Sequence, residues 1–391
     1  MRDVVIVEAV RTPVGRFGGV FKDTHPVELG SMVLKEVVKR AGVRPADVDD
    51  VVMGCVSQTN EQGGNIGRIA VLNAGFPVEV PSVSINRMCG SSQQAVHFGA
   101  QAIAAGDADI VVAAGVESMT RVPMGSDFTF ATLPGEFPYN LVPQGVSAEM
   151  IAEKWGIPRA ALDQFAYESH MKAAAATKAG KFADEIMPVA VGVNPVVSGT
   201  NGGELKTVTT DEGIRPNADL AKMATLKTVF KENGTVTAGN ASQISDGAAA
   251  VLLMSAEKAH ELGLKPRARI ISRVAVGSDP ILMLTGVIPA TRKALERAGL
   301  TIDDMDAIEV NEAFASVVLS WAQEIEPDMS KVNANGGAIA IGHPLGASGA
   351  RIMTTLLHRL EQTGGRYGLQ TMCIGWGMAT ATIIERIGNG V

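Results

Sequence analysis

Aromatic side chains make up only 4% of this 391-residue chain, and it has three cysteines and six histidines. Cys55, Cys89 and Cys373 are too few and too widely spaced for a disulfide framework, a zinc ribbon or a Cys-x-x-Cys redox pair. Free thiols in a reducing compartment are the natural reading, and no metal centre is expected. No apolar run approaches the ~18 residues that a membrane span requires. The opening stretch Val4-Val5-Ile6-Val7 stops at Glu8, far short of a signal-peptide core. A cytoplasmic chain with no membrane partner is therefore expected. Positive charge is not in excess either: 34 Lys and Arg against 41 Asp and Glu leave a net charge of −7. That balance excludes a generic nucleic-acid binder while leaving room for a local basic patch that holds a phosphorylated ligand. What remains is a hydrophobic fraction of 46% and 43 glycines. Such a chain buries cores in two or three domains and lets its backbone approach something closely.

The chain reads as a repeat with an insert. At a constant offset, Arg40-Ala41-Gly42 meets Arg297-Ala298-Gly299, Asp47 meets Asp304, Asp49 meets Asp306, and Gly54 meets Asn311. In each copy an amphipathic helix stops at a glycine suited to a left-handed cap, and a polar turn then leads into a β-branched strand. The flanking units correspond as well. Val4 to Val7 matches Arg269 to Ile271, and a helix opening at Cys89-Gly90-Ser91-Ser92 matches one opening at Gly346-Ala347-Ser348-Gly349. The following strands, Asp109 to Gly115 and Leu369 to Cys373, match too. Strands alternating with helices in both copies predict two α/β halves with a ligand cleft between them. Between about Met119 and Ile244 the pattern breaks into proline-rich loops, helical pieces near Ser147–Trp155 and Arg159–Gly180, and the turn cluster Ser198-Gly199-Thr200-Asn201-Gly202-Gly203. An insert of that length is expected to be functional.

Residues able to do chemistry cluster in four places. Cys89 lies where a strand gives way to a helix, so the helix N-terminus should favour its thiolate. Cys55, beside the apolar Val51-Val52-Met53, reads as structural. His343 sits within the glycine-rich run from Asn333 to Gly349, and an ordinary imidazole pKa of ~6.5 would let it take a proton from a thiol at neutral pH. Cys373-Ile374-Gly375-Trp376-Gly377 pairs a second thiol with exposed backbone N–H groups, the raw material of an oxyanion hole. Asn311 opens the polar segment Asn311-Glu312-Ala313-Phe314, which follows a second-half strand. Taken alone, it is a candidate helix cap.

Together these motifs resemble the thiolase family, in family order and spacing over the whole chain. They are the turn around Cys89, the Asn-Glu-Ala-Phe segment, Gly342-His343-Pro344-Leu345-Gly346-Ala347-Ser348-Gly349-Ala350-Arg351 and the Cys-x-Gly-x-Gly ending. The segment Thr237-Ala238-Gly239-Asn240-Ala241-Ser242, followed by Asp246-Gly247-Ala248-Ala249-Ala250, is similar as well. The resemblance implies an α/β fold of duplicated halves, packed as a five-layer α-β-α-β-α sandwich with an inserted loop domain. The halves would be residues 1–118 with 245–266, and residues 267–391, the loop domain being 119–244. The implied activity is the reversible, coenzyme A-dependent cleavage of 3-oxoacyl-CoA, or the reverse Claisen condensation. Cys89 would carry the acyl group after activation by His343, and Cys373 would move the α-proton. Asn311 would hold a water that joins His343 at the enolate, while the N–H groups of Cys89 and Gly375 form the second hole. Coenzyme A would be a substrate and not a resident cofactor, held by Ser242, Arg215, Lys222, Leu226 and Ala238, with Met283, Ala313 and Phe314 along the acyl pocket. A homodimer or homotetramer is implied too.

Three departures bear on specificity. Ser92-Gln93-Gln94 follows Ser91 where the family commonly has glycine, Trp376 replaces a glycine, and Pro143-Gln144-Gly145 stands where biosynthetic members have His-Met-Gly. A decarboxylating ketoacyl synthase lacks the terminal Cys-x-Gly-x-Gly. A non-catalytic acyl-CoA-binding protein would not need Cys89, His343 and Cys373 together.

Overall fold

A computed structural model of the chain describes residues 2–192 and 205–388, so the turn cluster at 198–203 lies outside the described residues. The first half runs β1 (Val4–Arg11), β2 (Gly15–Arg16), α1 (Pro26–Ala41), β3 (Asp50–Gly54), α2 (Ile66–Asn73), β4 (Ser82–Ile85), α3 (Ser91–Ala105) and β5 (Ile110–Ser118). Next come α4 (Gln144–Lys154), α5 (Arg159–Lys178), β6 (Val189–Gly192), β7 (Leu205–Val208) and α6 (Leu220–Ala224). The chain returns through β8 (Ser245–Ser255) and α7 (Ala256–Glu261) to the second half: β9 (Ala268–Gly277), α8 (Val287–Ala298), β10 (Ala307–Val310), α9 (Ala315–Ile325), α10 (Ala338–Ile341), α11 (Ser348–Thr363), β11 (Tyr367–Ile374) and β12 (Met378–Arg386).

Helix boundaries follow from local chemistry. His25 and Glu28 form a reciprocal capping box at the start of α1, with Pro26 at its first position. Gly42 at φ 70° and Gly299 at φ 66° end α1 and α8 in the left-handed conformation that the repeat called for.

Strand order carries the duplication. One side reads β1-β8-β5-β3-β4 and the other β9-β12-β11-β10, and Val332 bridges Ile308 in parallel just as β4 pairs with β3. In each half the inner strands are antiparallel and the outer ones parallel. The two sheets are not separate, however. β1 and β9 meet in antiparallel register at Val5–Arg269 and Ile6–Ala268, so one hydrogen-bonded path spans both halves. Pairing these two edges satisfies backbone groups that would otherwise be exposed.

The period of two in each strand sorts side chains into layers. Ala248, Ala250, Leu252 and Met254 of β8 pack with α1 and α2, whereas Ala249, Val251 and Leu253 pack with α3 and α11. Ala379, Ala381 and Ile383 of β12 join α8 and α9 on the far side. The result is helix, sheet, helix, sheet, helix.

The middle layer is held by glycines. A Cβ on Gly349 would stand 2.2 Å from Gln93 N, and one on Gly54 would stand 2.4 Å from Ser92 N. One on Gly115 would meet Gly346 O at 2.2 Å. Ser92 Oγ accepts a hydrogen bond from Ala350 N at 2.9 Å. Gln93 explains the first departure: its carboxamide donates to Thr382 Oγ1 and accepts from Thr380 Oγ1, both at 2.7 Å, tying α3 to β12. It is therefore a bond between the halves.

The insert leaves β5 at Ser118 and rejoins β8 at Ser245, and these two strands are antiparallel neighbours. Their counterparts β11 and β12 are joined directly by Gly375-Trp376-Gly377. Residues 119–244 thus occupy the place of a short hairpin turn. Arg11, fully buried, anchors this unit to β1 through Glu185 Oε1 and Asp211 Oδ1, each at 2.7 Å.

Because the α3–α11 contact is backbone against backbone, Gly349→Ala should cost roughly 2–3 kcal/mol in urea unfolding. Gly42→Ala, with open space but a left-handed φ, should cost about 1 kcal/mol. Equal losses at the two positions would contradict the close-contact account.

Candidate active site

The nucleophile turn is built to lift one side chain. Asn86 Oδ1 accepts from Met88 N at 2.8 Å, and Met88 adopts φ 45°, a region that a non-glycine residue enters only under constraint. Ser91 Oγ accepts from Arg87 N at 2.9 Å and donates to Met88 O at 2.6 Å, closing the loop around Cys89. A side chain on Gly90 would collide with Ile374 Cδ1, 2.4 Å from its Cβ position.

Helix position alone predicted a lowered thiol pKa, and the structure reverses that. Burial is the largest influence and pushes Cys89 up to about 11. The N–H groups of Gly375 and Cys89 and the Gln144 side chain pull the other way, and the Glu117 charge adds to the rise. Low-dielectric surroundings outweigh a helix end, and the resting group is a neutral thiol. Cys55 is buried, and its thiol is raised well above the ordinary value by burial and by Glu117, in keeping with an inert structural role.

His343 departs from expectation in the same sense: burial, then Arg351, press it down to about 3. Its tautomer follows from its neighbours. Ser348 Oγ donates its one proton to Pro344 O at 2.8 Å, so it must accept from His343 Nδ1–H at 2.6 Å. The lone pair is therefore on Nε2, where Asn311 Nδ2 approaches at 3.4 Å. The same Asn311 Nδ2 lies 4.0 Å from Cys373 Sγ. Asn311 is no helix cap; it links the imidazole to the second thiol, and its own Oδ1 is buried without a partner among the described residues. Burial first, then the nearby Cys89, raise Cys373 to about 12.

Two carboxylates fix this arrangement without taking part in it. Glu117 accepts from Val56 N, Ser57 N, Gln62 Nε2 and Gly346 N, joining the first half to the loop after His343. Glu312 accepts from Ser169 Oγ, Asn333 Nδ2 and Ile339 N, joining the Asn311 segment to the insert. Neither role was visible in the linear sequence, because each partner comes from a different segment.

A cavity of about 490 Å³ opens onto His343 and is lined by Gln144, Arg215, Ala238, Ser242, Ala313 and Phe314 among others. Cys89 packs against Leu345 and Met119, which also line it. Ser242 N donates to Ala313 O at 2.9 Å, so the two segments that resemble ligand-binding ones run side by side. Arg215 also borders a second pocket of about 210 Å³ with Lys222, Leu226 and His170. Met283 is brought to neither. It is buried in the second-half core with Ala379 and Val287, an outcome its apolar flank made equally natural. Trp376, at φ 67°, is not among the residues lining this cavity and packs edge-on against Phe128 and Phe130, with centroids 5.0 and 5.8 Å away. Gln144 was singled out in sequence only as a departure, and its approach to Gly375 emerges from the fold. Among the described residues there is no cluster of His, Cys, Asp and Glu fit for a metal ion and no helix long and apolar enough to cross a membrane.

Duplicated halves that converge on two thiols and one imidazole around a shared amide are the build of an acyl-transferring enzyme. The thiolase N-terminal domain model matches residues 4–257 and the thiolase C-terminal domain model matches residues 264–386. A steroid 3-ketoacyl-CoA thiolase, FadA6, of Mycobacterium tuberculosis is 48% identical over 99% of this chain and 95% of its own length. An acetyl-CoA acetyltransferase of Syntrophomonas wolfei is 46% identical over 99% of this chain and 100% of its own. The crystal structure of Bacillus anthracis acetyl-CoA acetyltransferase superposes with a TM-score of 0.91 at 39% identity, covering 99% of both chains. The chain belongs to the thiolase family, whose members are acyltransferases acting on coenzyme A thioesters.

Burial of imidazoles gives a pH signature. His97 and His343 are pushed down to about 3 and His170 to about 4, in each case chiefly by burial. In the unfolded chain each takes a proton near pH ~6.5, so there the unfolded state binds more protons. This contribution to stability is complete above that pH and is lost as pH falls toward the folded values. Glu309, pushed up to about 8 by burial, works in the opposite sense over the same interval, so the test is a difference: between about pH 7 and about pH 4.5 the urea midpoint of His97→Gln should fall less, or rise more, than that of the wild type. The same pH dependence in both proteins would count against it.

Proposed function

We propose that the chain catalyses the reversible thiolysis of 3-oxoacyl-CoA, with acetyl-CoA as one product, by acyl transfer through Cys89. The observation that carries this reading is the position of Asn311 Nδ2, 3.4 Å from His343 Nε2 and 4.0 Å from Cys373 Sγ. His343 Nε2, unprotonated at rest, takes the Cys89 proton as the sulfur attacks the 3-oxo carbon. The N–H groups of Cys89 and Gly375 stabilise the resulting oxyanion. Collapse breaks the bond between carbons 2 and 3 and leaves its electron pair on carbon 2 as the enolate of acetyl-CoA, beside Asn311 and protonated His343. Asn311 Oδ1, buried without a partner among the described residues, supports its role in holding a water there. Cys373 then gives its proton to carbon 2. A thiol held up to about 12 has a strongly basic thiolate, which suits an α-carbon that is itself a very weak acid. In the second half-reaction the Cys373 thiolate takes the proton of the incoming coenzyme A, whose sulfur attacks the acyl group. Cys89 leaves as thiolate and recovers its proton from His343. Every step reverses for condensation.

Residues 119–244 serve in this reading as the unit that receives coenzyme A. Ser242 and Ala238 lie toward the pantetheine arm, Arg215, Lys222 and Leu226 toward the nucleotide, and Ala313 and Phe314 along the acyl chain. Met283 supports the pocket from the core. Coenzyme A is then a substrate, and the enzyme is cytoplasmic and a homodimer or homotetramer.

Cys89→Ala should lower kcat/KM for thiolysis by on the order of 10⁴-fold or more. The melting temperature should stay within a few degrees, as read by enolate absorbance of the 3-oxoacyl-CoA and by calorimetry. Retained turnover in the folded variant would defeat the mechanism.

A further inference from the structure

Gln144 is a carboxamide in a mostly apolar wall. It is the first residue of α4, half-buried, and shares the cavity wall with Met119, Phe230, Phe314 and Leu345. Its Nε2 lies 2.9 Å from where a Cβ on Gly375 would stand, beside a backbone N–H assigned to the oxyanion. The backbone that carries it is pinned. The Phe230 ring covers Gly145, with ring atoms 2.2 Å from the position of a Cβ there, and Phe230 is edge-on to Phe314 at 6.0 Å. Ser147 Oγ donates to Leu282 O at 2.8 Å one turn on. The backbone at its root is thereby fixed, and the amide reaches the cavity from a set point.

Among the described residues its amide makes no hydrogen bond to the protein, and the Cys89 thiol is only weakly influenced by it. Once Cys89 carries an acyl group, the thioester sulfur offers no better acceptor, since such a sulfur accepts hydrogen bonds poorly. The amide then faces the first carbons of the bound acyl group from an apolar wall, and a donor left without an acceptor there is costly. Resting on the thiolase reading, we infer that Gln144 is a specificity-determining residue that selects acyl groups carrying an acceptor oxygen two carbons beyond the thioester carbonyl. A plain alkyl chain leaves the amide unsatisfied, whereas a hydroxyl or keto oxygen at that carbon gives it an acceptor.

The test compares thiolysis of 5-hydroxy-3-oxohexanoyl-CoA with that of 3-oxohexanoyl-CoA, following the acetyl-CoA common to both. The wild-type chain should favour the hydroxylated substrate in kcat/KM by about tenfold or more, and Gln144→Met should bring the ratio to about one. A purely structural role would lower both rates together and leave the ratio alone. If the wild type cleaves both substrates without preference, or if a preference survives in Gln144→Met, the inference falls and the thiolase reading stands. If the wild type releases acetyl-CoA from neither, both fall. The wild-type ratio decides the matter even where a variant folds poorly, and Gln144→Leu repeats the measurement with a different apolar side chain.

Discussion

Everything in this molecule depends on two helices touching backbone to backbone. Because Gly349 carries no side chain, the N-terminal ends of α3 and α11 approach to the limit of van der Waals contact, and Gly54, Gly115 and Gly346 let β3 and β5 come as close to those same ends. Those two ends are where Cys89 and His343 are attached. A single methyl group between them would separate the nucleophile from its base and open the layer against which both sheets pack. The glycine content that marks the sequence is thus partly a requirement of packing between the halves, and only partly one of access for a ligand.

That same closeness sets the electrostatics. The reacting groups lie buried between helices and strands, so each is pressed toward its neutral form: two thiols upward, one imidazole downward. At rest Cys89, His343 and Cys373 are all uncharged. Ion pairs form only when substrate atoms arrive to share them, and donors already aimed at the reacting centre are strongest where water cannot compete.

Much of this was legible in sequence. The offset between Arg40-Ala41-Gly42 and Arg297-Ala298-Gly299 reported the duplication because a helix, its left-handed cap and the next strand are local chemistry. Cys89, His343, Cys373 and Asn311 stood out because their segments resembled those of one family. The charge states of Cys89 and His343 were misread, since burial depends on residues hundreds of positions away, whereas a helix end is visible beside them. Met283 lay in an apolar run that served a pocket and a core equally well. Trp376 and Gln93 departed from pattern for reasons found only across the fold, in Phe128, Phe130 and Thr382. The strand pair β1–β9 merged sheets that the repeat had implied were separate.

The antiparallel pairing of β5 with β8 continues to Ser118 opposite Asp246, so the two ends of the insert are neighbours whatever lies between them. Closing that long excursion adds little entropic penalty to folding, because the sheet already holds its mouth shut. The unit is thereby modular. It can lengthen, shorten or change its surface while β5, β8 and β11, the strand that carries Cys373, keep their register, so binding preference can evolve without rebuilding the strands beneath it.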